Sequence, residues 1–196
     1  MARTESTMLD LRTEAPAFTL PNSNPVYGGE IVSLEDCAEA PALLVAFICN
    51  HCPYVKHIKD SFSAFASEMA NEGLAVIAIN ANDAERYPED GPEAMAEDSR
   101  LHAYTFPYLY DADQHVARAY RAACTPEFYL FDAGRRLVYR GQYDDSRPSN
   151  DVPVTGADLR AAVEAVLSGG TVPAAQKPSV GCSIKWKEGN APGSTG

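Results

Sequence analysis

Two cysteines, Cys49 and Cys52, lie three positions apart in the segment Phe47-Ile48-Cys49-Asn50-His51-Cys52-Pro53-Tyr54-Val55-Lys56. Thiols at this spacing suit disulfide exchange or, with further ligands, metal binding. Pro53 is a residue favoured at the first position of a helix. A sulfur just ahead of it sits near unpaired backbone N–H groups and the positive end of the helix dipole, which favour thiolate over thiol. The thiolate is the reactive form, so the pair points to redox chemistry, with the sulfur of Cys52 held ionised and accessible. His51 and Lys56 lie close enough in sequence to lower its proton affinity further. Each unit of that lowering requires about 1.4 kcal/mol of preferential stabilisation of the anion.

Joining the two sulfurs demands a bend. Three extended residues span roughly 10 Å, whereas a disulfide needs Cα atoms about 4.4 to 6.8 Å apart. Asn50 and His51 must therefore turn the chain, and asparagine is a good turn former.

The chain has five cysteines, at 37, 49, 52, 124 and 182. An odd number in a chain of ordinary composition argues against a secreted disulfide framework and for a reducing compartment. Residues 1–8 lack an apolar signal region, and no apolar run approaches the roughly 18 residues of a membrane span. The expectation is a cytoplasmic protein. A net charge of -11 disfavours nucleic acid and anionic membrane surfaces as partners. With 196 residues, 45% of them hydrophobic, the chain fits one domain able to bury about 70% of its unfolded surface.

Elements that would position the pair are legible from periodicity. Short extended segments at 17–20 and 30–34 flank Gly28-Gly29 as a hairpin, and an apolar run leads to Phe47-Ile48. Beyond Pro53, apolar residues at Val55, Ile58, Phe62, Phe65 and Met69 keep the helical period until Asn71 and Gly73. Residues 74–79 read as a strand buried on both faces, 80–91 as a solvated acidic loop, and 92–104 as a helix opened by Pro92. A strand near Tyr108, a helical turn at 116–120, a hairpin of 127–131 with 137–140 and a helix at 156–167 follow. The predicted architecture is α/β, a central mixed sheet flanked by helices, with an N-terminal β-hairpin and a C-terminal tail. Residues 1–10 are expected to be flexible, 11–170 to form the domain, and 171–196 to be a tail packed in part and disordered from 190.

The Asn50-His51-Cys52-Pro53 segment, together with Glu14-Ala15-Pro16-Ala17-Phe18-Thr19-Leu20, Cys124-Thr125-Pro126 and Gly181-Cys182-Ser183-Ile184-Lys185-Trp186, resembles the thioredoxin superfamily, in its peroxiredoxin-like (AhpC/TSA-type redoxin) branch. The resemblance covers most of residues 10–186 and implies a thioredoxin-like fold. Thioredoxins place their nucleophile about five residues after the last strand phenylalanine, which Phe47 and Cys52 match. It thus implies that Cys52 attacks, that Val55 fills the usual resolving position of a thioredoxin, and that Cys49 stands where peroxiredoxins carry a threonine. Cys49 is the favoured resolving thiol, with Cys124 and Cys182 as competitors. Thr125-Pro126 would be the family's cis-proline loop, whose Thr125 backbone could pair with an extended substrate. Arg147 would reach the rim of the site and hold an anionic group, or else form a salt bridge with Asp144 or Asp145.

The expected activity is thiol-disulfide oxidoreduction of a protein or small-molecule disulfide, sustained by an external thiol reductant and needing no organic cofactor. A thiol peroxidase is the related alternative. A copper- or zinc-binding module is the alternative of another class, with His51 or His57 and Cys182 completing a zinc site. Cys37 has no partner at a suggestive spacing and reads as structural.

Overall fold

The structure, a computed structural model, describes residues 3–192. In chain order it contains β1 (Arg3–Glu5), β2 (Thr19–Pro21), β3 (Ile31–Ser33), β4 (Ala42–Phe47), α1 (Pro53–Ala70), β5 (Leu74–Asn80), α2 (Pro92–Leu101), β6 (Tyr108–Tyr110), α3 (His115–Ala119), β7 (Cys124–Thr125), β8 (Glu127–Asp132), β9 (Leu137–Gly141), α4 (Ala157–Leu167) and β10 (Val180–Ser183).

Strand β4 is apolar at all positions because both of its faces are covered. It forms the middle of a five-stranded sheet ordered β6-β5-β4-β8-β9. The β4–β5 and β5–β6 pairs are parallel, and β4–β8 and β8–β9 are antiparallel. Alternation along β4 then divides the core. Ala42, Leu44 and Ala46 pack with α1 and α4 residues such as Phe62, Phe65, Leu159 and Val163. Leu43, Val45 and Phe47 meet α3 and the β2–β3 hairpin through Val116, Tyr120, Leu20 and Val32. This is the thioredoxin-like mixed α/β layout expected from the alternation of elements.

Helix α1 buries Val55, Ile58, Phe62, Phe65 and Met69, the stripe read from the sequence. It stops where Asn71 caps it and Gly73 takes φ +104, a region that suits glycine. Helix α2 ends at Leu101 rather than 104, because Ala103 turns left-handed at φ 50 and the Tyr104 N–H returns to the Ser99 carbonyl at 2.9 Å.

The chain ends differ from expectation. Residues 3–5, expected to be flexible, form β1, which pairs antiparallel with β10 of the tail, and β10 pairs in turn with β7. Asn190, expected in a disordered end, donates from Nδ2 to the Asp113 carbonyl at 3.2 Å and to Gln114 Oε1 at 3.0 Å. Positions 193–196 of that expected disorder lie outside the described residues. Among the described residues, no helix is long and apolar enough to cross a membrane.

Candidate active site

Strand β4 ends at Phe47 and α1 begins at Pro53, so five residues carry the chain from the sheet into the helix. Asn50 and His51 form a bend between the two cysteines. Cys52 is the N-cap residue of α1, with extended backbone at φ -65, ψ 125, and Pro53 follows at the first helical position. All five cysteines are free thiols and all are buried.

Cys52 lies between two other sulfurs. It is hydrogen-bonded to the side chains of Cys49 and Cys182, and its thiol is held down to about 5. The Cys49 hydrogen bond is the largest cause, and the Cys182 side chain and the backbone at Val55 and Cys182 act in the same direction against the opposing effect of burial. The neighbouring thiols respond in the opposite sense. Burial first, and then proximity to Cys52, pushes Cys49 well up and Cys182 up to about 12. Cys52 is thus the most acidic of the three sulfurs. Two contacts with Thr125 hold the group. Cys49 Sγ lies 3.2 Å from Thr125 Oγ1, and Cys52 Sγ lies 3.2 Å from the Thr125 carbonyl oxygen, which accepts a hydrogen bond from Cys52 when that sulfur is protonated.

The sulfur of Cys52 is not accessible in this conformation, contrary to the sequence reading: its exposure is 0%, beside 1% for Cys49 and 3% for Cys182. The cover includes the tail. Strand β10 sets Cys182 opposite Thr125 and Ser183 opposite Cys124, and the Ile184 N–H continues onto the Ala123 carbonyl at 3.1 Å. Gly181 makes this approach possible, since a β-carbon there would stand 2.0 Å from the Thr125 carbonyl oxygen. The Thr125-Pro126 bond is cis, as the resemblance implied. The edge beside Thr125, expected to be open to an extended substrate, is instead filled by the chain's own strand.

The bend between the cysteines has an anchor that the sequence reading missed. Asp90, assigned there to a solvated acidic loop, is fully buried. Its Oδ1 accepts the Asn50 N–H at 2.8 Å and the His51 N–H at 3.4 Å, while Oδ2 meets His51 Nδ1 at 2.5 Å and Asn82 Nδ2 at 2.7 Å. Asn50 is tied on its other side, donating to the Glu89 carbonyl at 2.8 Å and accepting from the Tyr108 hydroxyl at 3.0 Å. Burial disfavours the Asp90 anion, but bonds from His51, Asn82 and the Asn50 backbone outweigh it and lower its proton affinity. The hydrogen bond to Asp90 raises that of His51, against partial burial. The His51 ring also stacks on Tyr87, with centroids 5.4 Å apart. A pattern of Asn80, Asn82 and Asp90 flanking a buried strand end was the available signal.

The side chains whose ligand atoms converge differ from the zinc set expected from the sequence. The ligating atoms of Cys49, His51 and Asp90 lie within 4.8 Å of one another, and those of Asp111, Asp113 and His115 do likewise. In the first group the His51–Asp90 hydrogen bond and the Asp90 backbone bonds already account for the closeness.

The remaining candidates spread outward. Cys124 is buried between the Pro126 carbonyl, Glu127 Oε2 and the Ser179 carbonyl, and burial pushes its thiol far up. Cys37 lies in the core on the opposite side of the sheet from Cys52. Lys56 is exposed on α1. Arg147 forms no salt bridge with Asp144 or Asp145; it donates to the carbonyls of Asp144 at 2.7 Å and Ser146 at 2.6 Å and to Gln142 Oε1. With Pro126, Tyr54 and His57 it lines a groove that also touches Ser179 and Val180, at the start of β10.

The chain is 52% identical to a hypothetical protein from Sinorhizobium meliloti 1021 over 95% of this chain and 100% of that one, with a TM-score of 0.91. It is also 52% identical to an uncharacterized conserved protein from Geobacillus kaustophilus, over 96% and 98% of the two chains, with a TM-score of 0.92. Peroxidoxin BcpB from Mycobacterium tuberculosis shares the fold at 16% identity, over 82% of this chain and 97% of that one, with a TM-score of 0.60. No curated protein sequence matches. The sequence model of the AhpC/TSA family matches residues 11–140, a stretch that holds β4, the cysteine pair, α1 and the Thr125-Pro126 loop, and the chain therefore belongs to the AhpC/TSA family.

Proposed function

We propose that the protein is a thiol-disulfide oxidoreductase in which Cys52 attacks and Cys49 resolves. The observation that carries this reading is the placement of Cys52 as the N-cap residue of α1, its Sγ 3.2 Å from the Thr125 carbonyl oxygen beside the cis Pro126; Cys49 and Cys182 favour its anion. The Cys52 thiolate attacks one sulfur of a disulfide, a mixed disulfide forms, and the first thiolate leaves. Cys49 then gives up its proton to the second leaving group and attacks Cys52, so that the substrate gains two electrons and the Cys49–Cys52 disulfide remains. An external thiol reductant returns the pair to the dithiol.

Burial of Cys52 favours a second reading, a thiol peroxidase, because peroxide is small enough to enter with little opening of the cover. Peroxide would oxidise the thiolate to sulfenic acid with release of hydroxide, and Cys49 would condense with it, releasing water. Wild type and Cys52→Ser compared for reduction of bis(2-hydroxyethyl) disulfide and consumption of hydrogen peroxide separate the two. Wild type is expected to reduce the disulfide faster than it consumes peroxide, and Cys52→Ser to lose both activities by a factor of about 100 or more. Equal rates in the two proteins would refute the role of Cys52.

A further inference from the structure

Strand β10 lies on the Thr125 edge in antiparallel register, the position that an extended polypeptide would need in order to pair beside Cys52. It brings a cysteine with it: Cys182 pairs with Thr125, whose carbonyl oxygen lies 3.2 Å from Cys52 Sγ. Gly181 permits the approach of the two backbones, and β1 backs β10 from its other side through Arg3, Thr4 and Glu5.

We propose that β10 is a built-in substrate strand, with Cys182 occupying the place of a substrate cysteine and exchanging with Cys52 during turnover. This rests on the reading of Cys52 as the attacking sulfur and adds a second internal disulfide to it. Starting from the Cys49–Cys52 disulfide, deprotonated Cys182 attacks the Cys52 sulfur. The Cys52–Cys182 bond forms, the Cys49–Cys52 bond breaks, and Cys49 leaves as a thiolate that takes up the proton given up by Cys182. The oxidation level is unchanged, so the step consumes no oxidant. In the linked form β10 is bolted over the site. Polypeptide disulfides reach Cys52 only when β10 departs, whereas small disulfides compete with a strand already in place.

The test combines a linkage map with a test of the cover. Reduced wild type, Cys49→Ser and Cys182→Ser are treated with excess bis(2-hydroxyethyl) disulfide, quenched in acid, alkylated and mapped by mass spectrometry. Wild type is expected to hold both Cys49–Cys52 and Cys52–Cys182, Cys49→Ser only Cys52–Cys182, and Cys182→Ser only Cys49–Cys52. Gly181→Val, whose side chain meets the Thr125 carbonyl, is expected to expose Cys52. Alkylation of Cys52 and the ratio of insulin reduction to small-disulfide reduction should each rise about tenfold.

Absence of the Cys52–Cys182 linkage from both wild type and Cys49→Ser overturns the proposal. A folded Gly181→Val protein that matches wild type in alkylation and in the ratio overturns it too. If Gly181→Val does not fold, the Cys49→Ser map decides alone. The two levels of failure are separable: a Cys52→Ser protein that still reduces the small disulfide refutes the oxidoreductase reading, whereas an active wild type that never holds the Cys52–Cys182 linkage refutes only the substrate strand.

Discussion

Asp90 Oδ2 and His51 Nδ1 approach to 2.5 Å, joining the loop after β5 to the bend between the two cysteines. The same carboxylate takes backbone N–H groups from both residues of the bend. Removing it leaves several donors without a partner, two of them from the buried residues Asn50 and Asn82. Asp90→Ala is therefore expected to lower unfolding free energy by about 3 kcal/mol, read from urea denaturation. Asp90→Asn keeps the shape and should lose less.

The same pair sets a pH window. His51 is raised from its ordinary 6.5, so its contribution is complete below 6.5 and is lost as pH rises through the higher folded value. Asp90 is lowered from 3.8, so its contribution is present above 3.8 and is lost as pH falls through the lower folded value. In a Cys52→Ser background, which removes the opposing thiol contribution, denaturation midpoints measured from pH 3 to 9 should plateau between these limits, and adding His51→Gln should remove the decline on the alkaline side. An unchanged alkaline limb in that variant would contradict the assignment.

Cys52 is expected to titrate near 5 by thiolate absorbance at 240 nm, and Cys49→Ala should move that midpoint upward because the Cys49 hydrogen bond is the largest cause of the lowering. Its folded value lies below the ordinary 9.0, so it stabilises the reduced protein increasingly as pH rises from about 5 to 9, and loses that effect as pH falls through 5. Comparison with Cys52→Ser over this range checks the sign. Absorbance is the appropriate readout because alkylation also requires the cover to open.

Lys59 is 5% exposed and bonds both carboxylate oxygens of Asp98, at 2.7 and 3.0 Å, linking α1 to α2. Asp98→Ala strands a buried ammonium and should cost about 3 kcal/mol in urea denaturation, while Lys59→Met with Asp98→Ala should recover most of the loss. Additive effects of the two changes would contradict a coupled pair.

Phe62 is 1% exposed and meets the rings of Phe65, Phe106, Phe128 and Tyr143. Phe62→Ala should cost about 4 kcal/mol, measured by the shift in thermal or urea unfolding.

Much of this fold is written locally. The apolar run of β4, the stripe of α1 and the two-sided burial of β5 follow from periods of two and 3.6 residues, and the proline after Cys52 marks a helix start. What escaped is nonlocal. Strands β7 and β10 are two and four residues long and lie in Pro- and Gly-bearing segments, so their pairing leaves no periodic trace. The acidic composition of residues 80–91 suggested solvent, yet Asp90 is buried because its partners, Asn50, His51 and Asn82, converge only in three dimensions. The cysteine pair was readable, whereas the meeting of Cys182 with Cys52 depends on a contact spanning most of the chain.

The β1–β10 ribbon ties Arg3 to Cys182, nearly the full described length apart. Loop-closure entropy grows with separation, so this seam carries a larger ordering cost than the hairpin of β8 and β9 while securing only short strands. It belongs among the last structures to form and the first to fray in native-state hydrogen exchange. During synthesis the residues of β10 also emerge after the other described strands, so Cys49 and Cys52 lack this cover on the nascent chain until β10 is made.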